Sequence, residues 1–390
     1  MKKESLLATL GCCDERYEGV VNLPPHRAST ILFNGLDEFE KADSGQHPRA
    51  SYGRYGTPST RSLEHALAQI GDADHAIVTS SGLSAIVTSL MAFLQAGDHL
   101  LMVDSTYAPS RRFCKNVLSR FGVEVTYYDP LIGSDIAKLM KDNTRVVFVE
   151  SPGSLTFEVQ DIPAIAKVAH SKGAMVIGDM TWGTLLYQKP FDLGVDVIVH
   201  SATKYIAGHS DLVMGLILFN DAHHENLVKT YRNMGACPAA DNCYLAMRGL
   251  RTMALRIKHQ YESTMKVAQW MKARPEIEEV LYPALPGSPG HELWKRDFSG
   301  ACSLFAVAFK PIPHEAMRAF IDSLQLFGLG YSWGGFESLM TTFKTDNIRS
   351  ASKWPYEGPG LRIHIGLEHT DDIIADLEHG FKQMKKQKAA

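Results

Sequence analysis

Short apolar runs alternate with stretches of helical hydrophobic spacing along most of the chain from about residue 60 onward. The runs are AIVTSS, HLLMVD, VEVTYYD, RVVFVES, MVIGDM, VDVIVHS and GLILFN. Segments such as RSLEHALAQI and IPAIAKVAHSKG place apolar residues three and four positions apart, which predicts helices. GLSAIVTSLMAFLQAG predicts a further helix, ended by Gly97. Strands that are apolar throughout are typical of a mostly parallel sheet with helices on both faces, so the pattern predicts an α/β fold.

The pattern changes at about residues 240–270. The stretch NCYLAMRGLRTMALRIKHQYESTMKVAQWMKA predicts one long helix or two, which lead into a smaller α/β domain. The strands of this second domain should include SLFAVAF and LRIHIGL. We expect LYPALPGSPGHELWKRDFSG to be a long ordered loop, because it is rich in proline and glycine. The basic end, KQMKKQKAA, is expected to fray.

Size and charge narrow the class of protein. The chain has 390 residues, which fits one large domain plus a smaller one. A net charge of −3 gives no reason to expect nucleic acid or an anionic membrane as a partner. The apolar stretch in MKKESLLATLGCCDE is too short for a signal peptide, and no apolar run of about 18 residues occurs. We therefore expect a cytoplasmic protein without a membrane partner.

The cysteines give no sign of a metal or redox site. No two of them have the C-x-x-C spacing of zinc sites and dithiol motifs. We expect no metal, and reduced, mostly buried thiols at Cys12, Cys13, Cys114, Cys237, Cys243 and Cys302.

Polar and charged residues follow several of the predicted strands. Ligands of open α/β sheets bind beyond the carboxyl ends of the strands, so these residues should meet at one rim. The rim would hold a helix start suited to an anion, a tyrosine, an aspartate, hydroxyl groups and a lysine, a set that suits a phosphorylated, basic aromatic cofactor. The residues concerned are Ser81, Gly82 and Leu83, then Ser105, Thr106 and Tyr107, then Ser151 to Ser154, then Asp179, and finally Ser201, Thr203 and Lys204.

Lys204 and Asp179 are the two strongest candidates for chemistry. A lysine at a strand end is commonly a solvated surface residue. In S-A-T-K-Y, however, Lys204 directly follows a buried strand, where partial desolvation would lower its pKa and make it a nucleophile toward an aldehyde. Asp179 ends an apolar strand, where an unpaired carboxylate is costly. It either caps the following segment or pairs with a pyridine nitrogen and keeps that ring protonated.

The remaining candidates would complete such a site. Gly82 and Leu83 open a helix whose free N–H groups could bind a phosphate, although N-capping by the preceding serines explains the same pattern. Ser201 and Thr203 could add hydroxyl donors to that phosphate. Tyr107 either stacks on the cofactor ring or belongs to the core. Arg362, between alternating apolar residues, could bind a carboxylate through two parallel hydrogen bonds or form a buried structural ion pair.

Longer segments together resemble the Cys/Met-metabolism family of pyridoxal 5′-phosphate (PLP) enzymes, from about residue 5 to 385. They are VNLPPHRASTILF, YGRYGTPST, SSGLSAI, ESPGSLTFEVQDIPAIAKVAH, HSATKYIAGHSDLVMG, LYPALPGSPGHELWKRDFSG, YSWGGFESL and LRIHIGLE. The segment around Lys204 is highly specific for the family. The resemblance implies the aspartate-aminotransferase-like PLP fold of type I. Its parts would be an intersubunit arm at 1–58, a large PLP-binding domain at 59–245 and a small C-terminal α/β domain at 246–390.

The resemblance also implies roles for single residues. Lys204 would hold PLP as a Schiff base, Asp179 would pair with the pyridinium and Tyr107 would stack on the ring. Gly82, Leu83, Ser201 and Thr203 resemble the phosphate cradle. Arg362, helped by Ser332, resembles the residue that binds the substrate α-carboxylate, and Tyr331 and Trp333 resemble the wall of the substrate pocket. Tyr52 and Arg54 resemble the pair that reaches the phosphate from a neighbouring subunit, within a homotetramer built from dimers that share their active sites. Tyr52 is also expected to bind substrate, and Tyr107 to be catalytic together with Lys204 and Asp179.

The motifs YSWGGFESL and ESPGS resemble the β-lyase branch of the family. That branch implies β-elimination of the thioether L-cystathionine to homocysteine, pyruvate and ammonia, the cystathionine β-lyase reaction of methionine biosynthesis. Alternatives are a broader cysteine-S-conjugate lyase or desulfhydrase, a γ-lyase, an amino-acid racemase side activity and, outside enzymes, a PLP-binding regulator. Two residues differ from the sequence pattern of many family members. Met180 stands after Asp179 where many relatives have asparagine, and His26 stands where relatives often have an aromatic residue. Met180 is expected to make the surroundings of Asp179 more apolar.

Overall fold

The fold is given by a computed structural model that describes residues 1–11, 19–44, 49–346 and 348–389. The helices of this described part are α1 Lys3–Thr9, α2 Leu36–Asp43, α3 Pro58–Ile70, α4 Gly82–Phe93, α5 Ala108–Asn116, α6 Ile162–Ser171, α7 Thr184–Tyr187, α8 His224–Met234, α9 Ala240–Lys272, α10 His291–Asp297, α11 His314–Asp322 and α12 Thr370–Ala389. The strands are β1 His75–Thr79, β2 His99–Val103, β3 Glu124–Tyr128, β4 Thr144–Glu150, β5 Met175–Asp179, β6 Val197–Ser201, β7 Gly215–Phe219, β8 Ile277–Leu281, β9 Leu304–Phe309, β10 Gly328–Leu329, β11 Leu339–Phe343 and β12 Gly360–His364.

The predicted strands of the first region form one seven-stranded sheet, in the order β1-β7-β6-β5-β4-β2-β3. The neighbours from β6 to β3 pair in parallel, whereas β7 is antiparallel to both β1 and β6. The predicted mostly parallel sheet is therefore confirmed. Because parallel strands end at the same edge, β4, β5 and β6 deliver Glu150, Asp179 and Ser201 to one rim.

Both faces of this sheet are buried. Alternate side chains of a strand point to opposite faces, and in β2 Leu100 and Met102 join one apolar cluster while Leu101 and Val103 join the other. Helices α4 and α8 contribute to the first cluster, and α3, α6 and α9 to the second. Burial on both sides explains why these strands are apolar throughout rather than alternating.

A second sheet of five strands follows, in the order β10-β11-β12-β9-β8. The long segment before it is one helix of 33 residues, α9. The predicted division into 1–58, 59–245 and 246–390 stays a prediction, and its second boundary falls inside α9. In the described part of the chain no helix is long and apolar enough to cross a membrane. Cys12 and Cys13 lie outside the described residues, and the other four cysteines are free thiols, three of them buried.

Three local predictions are wrong. Helix α4 ends at Phe93, not at Gly97, which instead takes a positive φ in the following turn and donates its N–H to Gly122. The loop LYPALPGSPGHELWKRDFSG contains helix α10, whose Trp294 donates its indole N–H to the Gly300 carbonyl. The basic end is helical as far as Ala389, because α12 runs through it and buries Met384.

Candidate active site

Lys204 lies three residues beyond the end of β6, where the two sheets meet. Its Nζ donates a hydrogen bond of 3.1 Å to Oγ of Ser332 and lies 5.2 Å from the centre of the Trp333 ring. Burial, together with the positive charge of Arg362, lowers the pKa of Lys204 to about 8. A substantial fraction of this amine is therefore neutral near physiological pH, as a nucleophile toward an aldehyde must be.

The segment that carries Ser332 and Trp333 packs directly against the backbone of Lys204. Gly334 has a φ of +84°, and a Cβ atom there would lie 2.8 Å from the carbonyl carbon of Lys204, so only glycine fits. The Gly334 N–H points to Nε2 of His364 at 3.2 Å. Burial lowers the pKa of His364 to about 3, which keeps the imidazole neutral.

Asp179 places a carboxylate at the rim, at the end of β5. It accepts hydrogen bonds from the N–H and the hydroxyl of Thr181, at 3.0 and 2.5 Å. Burial raises the pKa of Asp179, although the Thr181 bonds and the charge of Lys204 oppose this. The Met180 side chain does not line this site: it is fully buried in the core, with its methyl group over Gly178. Its expected effect on the surroundings of Asp179 stays a prediction.

Tyr107 lies at the start of α5, and the Glu150 carboxyl group binds its backbone N–H. The Tyr107 N–H donates to Oε2 of Glu150 at 2.7 Å, and the Thr106 hydroxyl donates to the same oxygen at 3.1 Å. The tyrosine itself is 45% exposed, which leaves its ring free to contact a ligand and argues against a core role. Desolvation raises the pKa of the Tyr107 phenol, so it stays protonated at neutral pH.

The start of α4 lies against the end of β6. A Cβ atom at Gly82 would lie 2.8 Å from both Cβ and Oγ of Ser201, so a larger residue would push the helix away from the strand. The Ser81 hydroxyl caps the helix by accepting from the Ser84 N–H, which leaves the N–H groups of Gly82 and Leu83 for a ligand. The Thr203 hydroxyl is engaged elsewhere, because it bridges the backbone of Met214 at 3.0 and 3.1 Å.

Arg362 enters the cleft from β12. One of its terminal nitrogens donates to the carbonyls of Tyr331 and Ser332, at 2.7 and 3.3 Å. Burial lowers the pKa of Arg362 to about 10, and within the described residues no carboxylate forms an ion pair with it. A partly buried guanidinium without a carboxylate is costly unless a ligand supplies one, so the ligand role is favoured over a structural ion pair.

Tyr52 and Arg54 are not joined to this cleft within the chain. Arg54 donates to the Arg232 carbonyl at the end of α8 and to the Tyr55 hydroxyl at 2.9 Å. Tyr52 is 44% exposed and forms an isolated bridge with Thr30. Among the described contacts of the chain, none links either residue to Lys204, Asp179 or Gly82. Their phosphate role stays a prediction that requires a second subunit.

The residues at this rim fit PLP. Lys204 can react with its aldehyde, the partly buried Asp179 carboxylate suits a protonated ring nitrogen, and the start of α4 suits its phosphate. The close fit of Gly82 on Ser201 leaves backbone N–H groups, not a side chain, at the position for the phosphate.

Sequence reasoning missed three residues that organise the rim: Glu150, Asp104 and Thr181. Glu150 ends an apolar strand, as Asp179 does, and Asp104 directly follows one, so the signal was present in the sequence. Asp104 has no exposed surface and accepts N–H bonds of 2.8–3.0 Å from residues 350–352, which tie the segment after β11 to the large sheet. Thr181 links the Asp179 carboxylate to the Ser201 N–H, which donates to its Oγ1 at 2.9 Å.

Comparison with known proteins agrees with this geometry. The chain is 39% identical to cystathionine beta-lyase MetC of Escherichia coli K12, covering 98% of this chain and 99% of that one. It is 40% identical to the L-alanine/L-glutamate racemase of Wolbachia pipientis wMel, covering 97% and 96%. The crystal structure of cystathionine gamma synthase from Xanthomonas oryzae pv. oryzae in complex with aminoacrylate and cysteine superposes with a TM-score of 0.91 at 28% identity, covering 99% of each chain. The model of one protein family matches residues 5–382, which confirms the predicted resemblance, the type I fold and the cofactor. This chain therefore belongs to the Cys/Met metabolism PLP-dependent enzyme family.

Proposed function

We propose that this protein is a PLP-dependent carbon–sulfur lyase that cleaves L-cystathionine by β-elimination. The observation that carries the proposal is the electrostatic environment of the Lys204 amine. It has a pKa of about 8 and feels the charges of both the Asp179 carboxylate and the Arg362 guanidinium. This arrangement brings a proton acceptor, a carboxylate for a cationic ring and a binding group for an amino-acid carboxylate into one cleft.

Arg362 would orient the substrate. One terminal nitrogen is held by the Tyr331 and Ser332 carbonyls, which leaves the other donors of the guanidinium for the α-carboxylate. With the carboxylate fixed there, the bond from Cα to its hydrogen can face the Lys204 amine. Ser332 supports both groups, because its hydroxyl accepts from Lys204 and its carbonyl accepts from Arg362.

Lys204 would move the protons of the reaction. As a neutral amine it removes the α-proton, and as an ammonium it returns a proton to the leaving sulfur. Bound PLP supplies an electron sink for the negative charge that forms at Cα. Asp179, held by Thr181, keeps a proton on the ring nitrogen so that this sink is effective. The released aminoacrylate then hydrolyses to pyruvate and ammonia.

The β-lyase reaction is favoured over γ-cleavage by the segments YSWGGFESL and ESPGS, and by the similarity to the Escherichia coli lyase. A second candidate is amino-acid racemisation, because the Wolbachia relative of almost equal identity is a racemase. Both reactions begin with removal of the α-proton, and they diverge when that proton is returned to Cα or a leaving group departs from Cβ.

Product analysis distinguishes these reactions. With L-cystathionine, β-cleavage yields pyruvate and homocysteine, whereas γ-cleavage yields 2-oxobutanoate and cysteine. Incubation of L-alanine, which has no leaving group, in D2O reports racemisation through the appearance of deuterated D-alanine. We expect pyruvate as the main oxo acid and no pyruvate from Lys204→Ala. If D-alanine forms faster than pyruvate, racemisation is the main activity.

The predicted tetramer with shared sites and the cytoplasmic location are part of the proposal. The segment 20–44 exposes large apolar side chains, with Val21, Leu32 and Leu36 each more than 60% exposed, and a second subunit could cover them. If Arg54 reaches the phosphate of a neighbouring subunit, inactive Lys204→Ala and Arg54→Ala chains should regain activity when co-expressed. Mixed oligomers as inactive as either parent would exclude a cross-subunit role for Arg54.

A further inference from the structure

Two carboxylates stand side by side at the rim, that of Glu150 buried and that of Asp179 partly buried. Glu150 and Asp179 are Cα partners in the parallel pairing of β4 and β5, and each is the last residue of its strand. Neighbouring strands lie about 4.8 Å apart and in-register side chains share one face, so the two carboxyl groups are close neighbours. Glu150 is only 9% exposed, which leaves little water to screen one charge from the other.

The partners of the two groups differ. Glu150 accepts the Tyr107 N–H and the Thr106 hydroxyl on one oxygen, Oε2. Asp179 accepts both donors of Thr181 and faces the positive charge of Lys204. The charged groups that face Glu150 are Asp179 from β5 and Arg349 from the segment after β11. Arg349 is already paired with Glu158, at 3.6 Å, and its side chain is 5% exposed.

Two adjacent carboxylates in a dry site do not both ionise when one proton can be shared between them. Asp179 has the donors and the facing lysine, so it is the group that keeps the negative charge. Burial, followed by the charge of Asp179, raises the pKa of Glu150 well above its usual range. The unused oxygen of Glu150, Oε1, remains free to carry the proton.

We propose that Glu150 is a positioning residue that stays protonated when PLP is bound. Its carboxyl group accepts the backbone N–H of Tyr107 and so fixes this tyrosine against the ring. Asp179 is then the single anion for the ring nitrogen. The inference deepens the proposed function, since it assumes the same PLP site. It concerns cofactor binding, however, and is independent of which amino acid the enzyme cleaves.

The first test compares Glu150→Gln with wild type by the pH at which the absorption spectrum of bound PLP titrates. A glutamine is neutral and of the same shape, so replacing a neutral Glu150 should leave this pH unchanged. If Glu150 were an anion, its removal would lower the pH at which the lysine–cofactor linkage titrates, by about one pH unit for two charges roughly 10 Å apart at an effective dielectric constant of about 20. Such a shift would overturn the proposal. Glu64→Gln is the matched control, because Glu64 is also a carboxyl that accepts a backbone N–H, from Val78 at 3.1 Å, and has no described contact with the rim.

The second test concerns Tyr107. Glu150→Ala leaves the Tyr107 N–H and the Thr106 hydroxyl without their acceptor, so we expect the dissociation constant of PLP to rise about tenfold. The visible circular dichroism of the bound cofactor should weaken as well, since its ring loses a fixed neighbour. Glu150→Gln should restore both properties because its amide oxygen accepts the same bonds. An alanine variant that binds PLP as wild type does would exclude the positioning role.

An infrared measurement on the wild-type holoenzyme keeps the proposal testable if the variants do not fold. The Glu64 carboxyl has a pKa of about 7 and is ionised at alkaline pH. We expect Glu150 to give a protonated-carboxyl band that persists at alkaline pH. The absence of any such band would refute the proposal. Failure of the lyase proposal would look different: PLP would bind with these signatures, but cystathionine would yield no pyruvate.

Discussion

The buried amine of Lys204 should cost the apoprotein stability, and the cost should depend on pH. Burial lowers its pKa from an ordinary value of 10.5 to about 8. Below pH 8 the amine is protonated in both the folded and the unfolded chain, and the folded state bears the full cost of burying the charge. As pH rises from 8 toward 10.5, the folded state loses its proton first and the cost shrinks. Above 10.5 it disappears.

The change Lys204→Met removes the charge and keeps a side chain of similar length. A pKa difference of 2.5, from 10.5 to 8, corresponds to about 3 kcal/mol of unfolding free energy at neutral pH. The variant loses the hydrogen bond from Lys204 to Ser332, which contributes about 1 kcal/mol. The net expectation is an apoprotein about 2 kcal/mol more stable than wild type at neutral pH, with no gain at strongly alkaline pH.

Urea unfolding of the two apoproteins, followed by far-ultraviolet circular dichroism at neutral and alkaline pH, measures this difference. Lys258→Met is the matched control, because Lys258 lies on the exposed side of α9 and should give no pH-dependent gain. An equal effect of Lys204→Met at both pH values would contradict the reasoning, since it would show that the amine is not desolvated. A loss of stability at neutral pH would contradict it as well.

Three further changes test other parts of the site. Arg362→Lys should raise KM and lower kcat/KM about 30-fold, because an ammonium cannot replace a contact of two parallel hydrogen bonds worth about 2 kcal/mol. An unchanged KM in steady-state kinetics would show that another residue binds the carboxylate. Asp179→Asn should still bind PLP but lose at least about 100-fold in kcat, because the ring proton matters most when charge develops at Cα, and near-normal turnover would exclude that role. Asp104→Asn should lower the unfolding free energy by about 3 kcal/mol in a urea titration, because an amide cannot accept all the hydrogen bonds from residues 350–352 and Arg111. A change within about 0.5 kcal/mol would show that Asp104 does not hold residues 350–352 in place.

The order of the elements could be predicted from the sequence because it depends on local periodicity. Continuous apolar runs gave the strands of the large sheet. Since parallel strands end at one edge, the residues after those runs, such as Asp179 and Lys204, were expected at one rim. The resemblance of the segment around Lys204 then indicated the cofactor. The errors at Gly97 and at the basic end came where a backbone turn or a distant apolar contact decides whether a helix continues.

Other features were decided only by the tertiary structure, because they depend on strand register and on contacts between distant residues. Lys204 and Ser332 are 128 residues apart, and their hydrogen bond exists only because the two sheets pack together. The sequence showed a carboxylate at the end of RVVFVE and another at the end of MVIGD, but only the pairing of β4 with β5 makes them neighbours that compete for one proton. The sequence by itself therefore determined which residue types stand at the strand ends, whereas packing determined their charge states, because charge depends on burial and on the nearest partner.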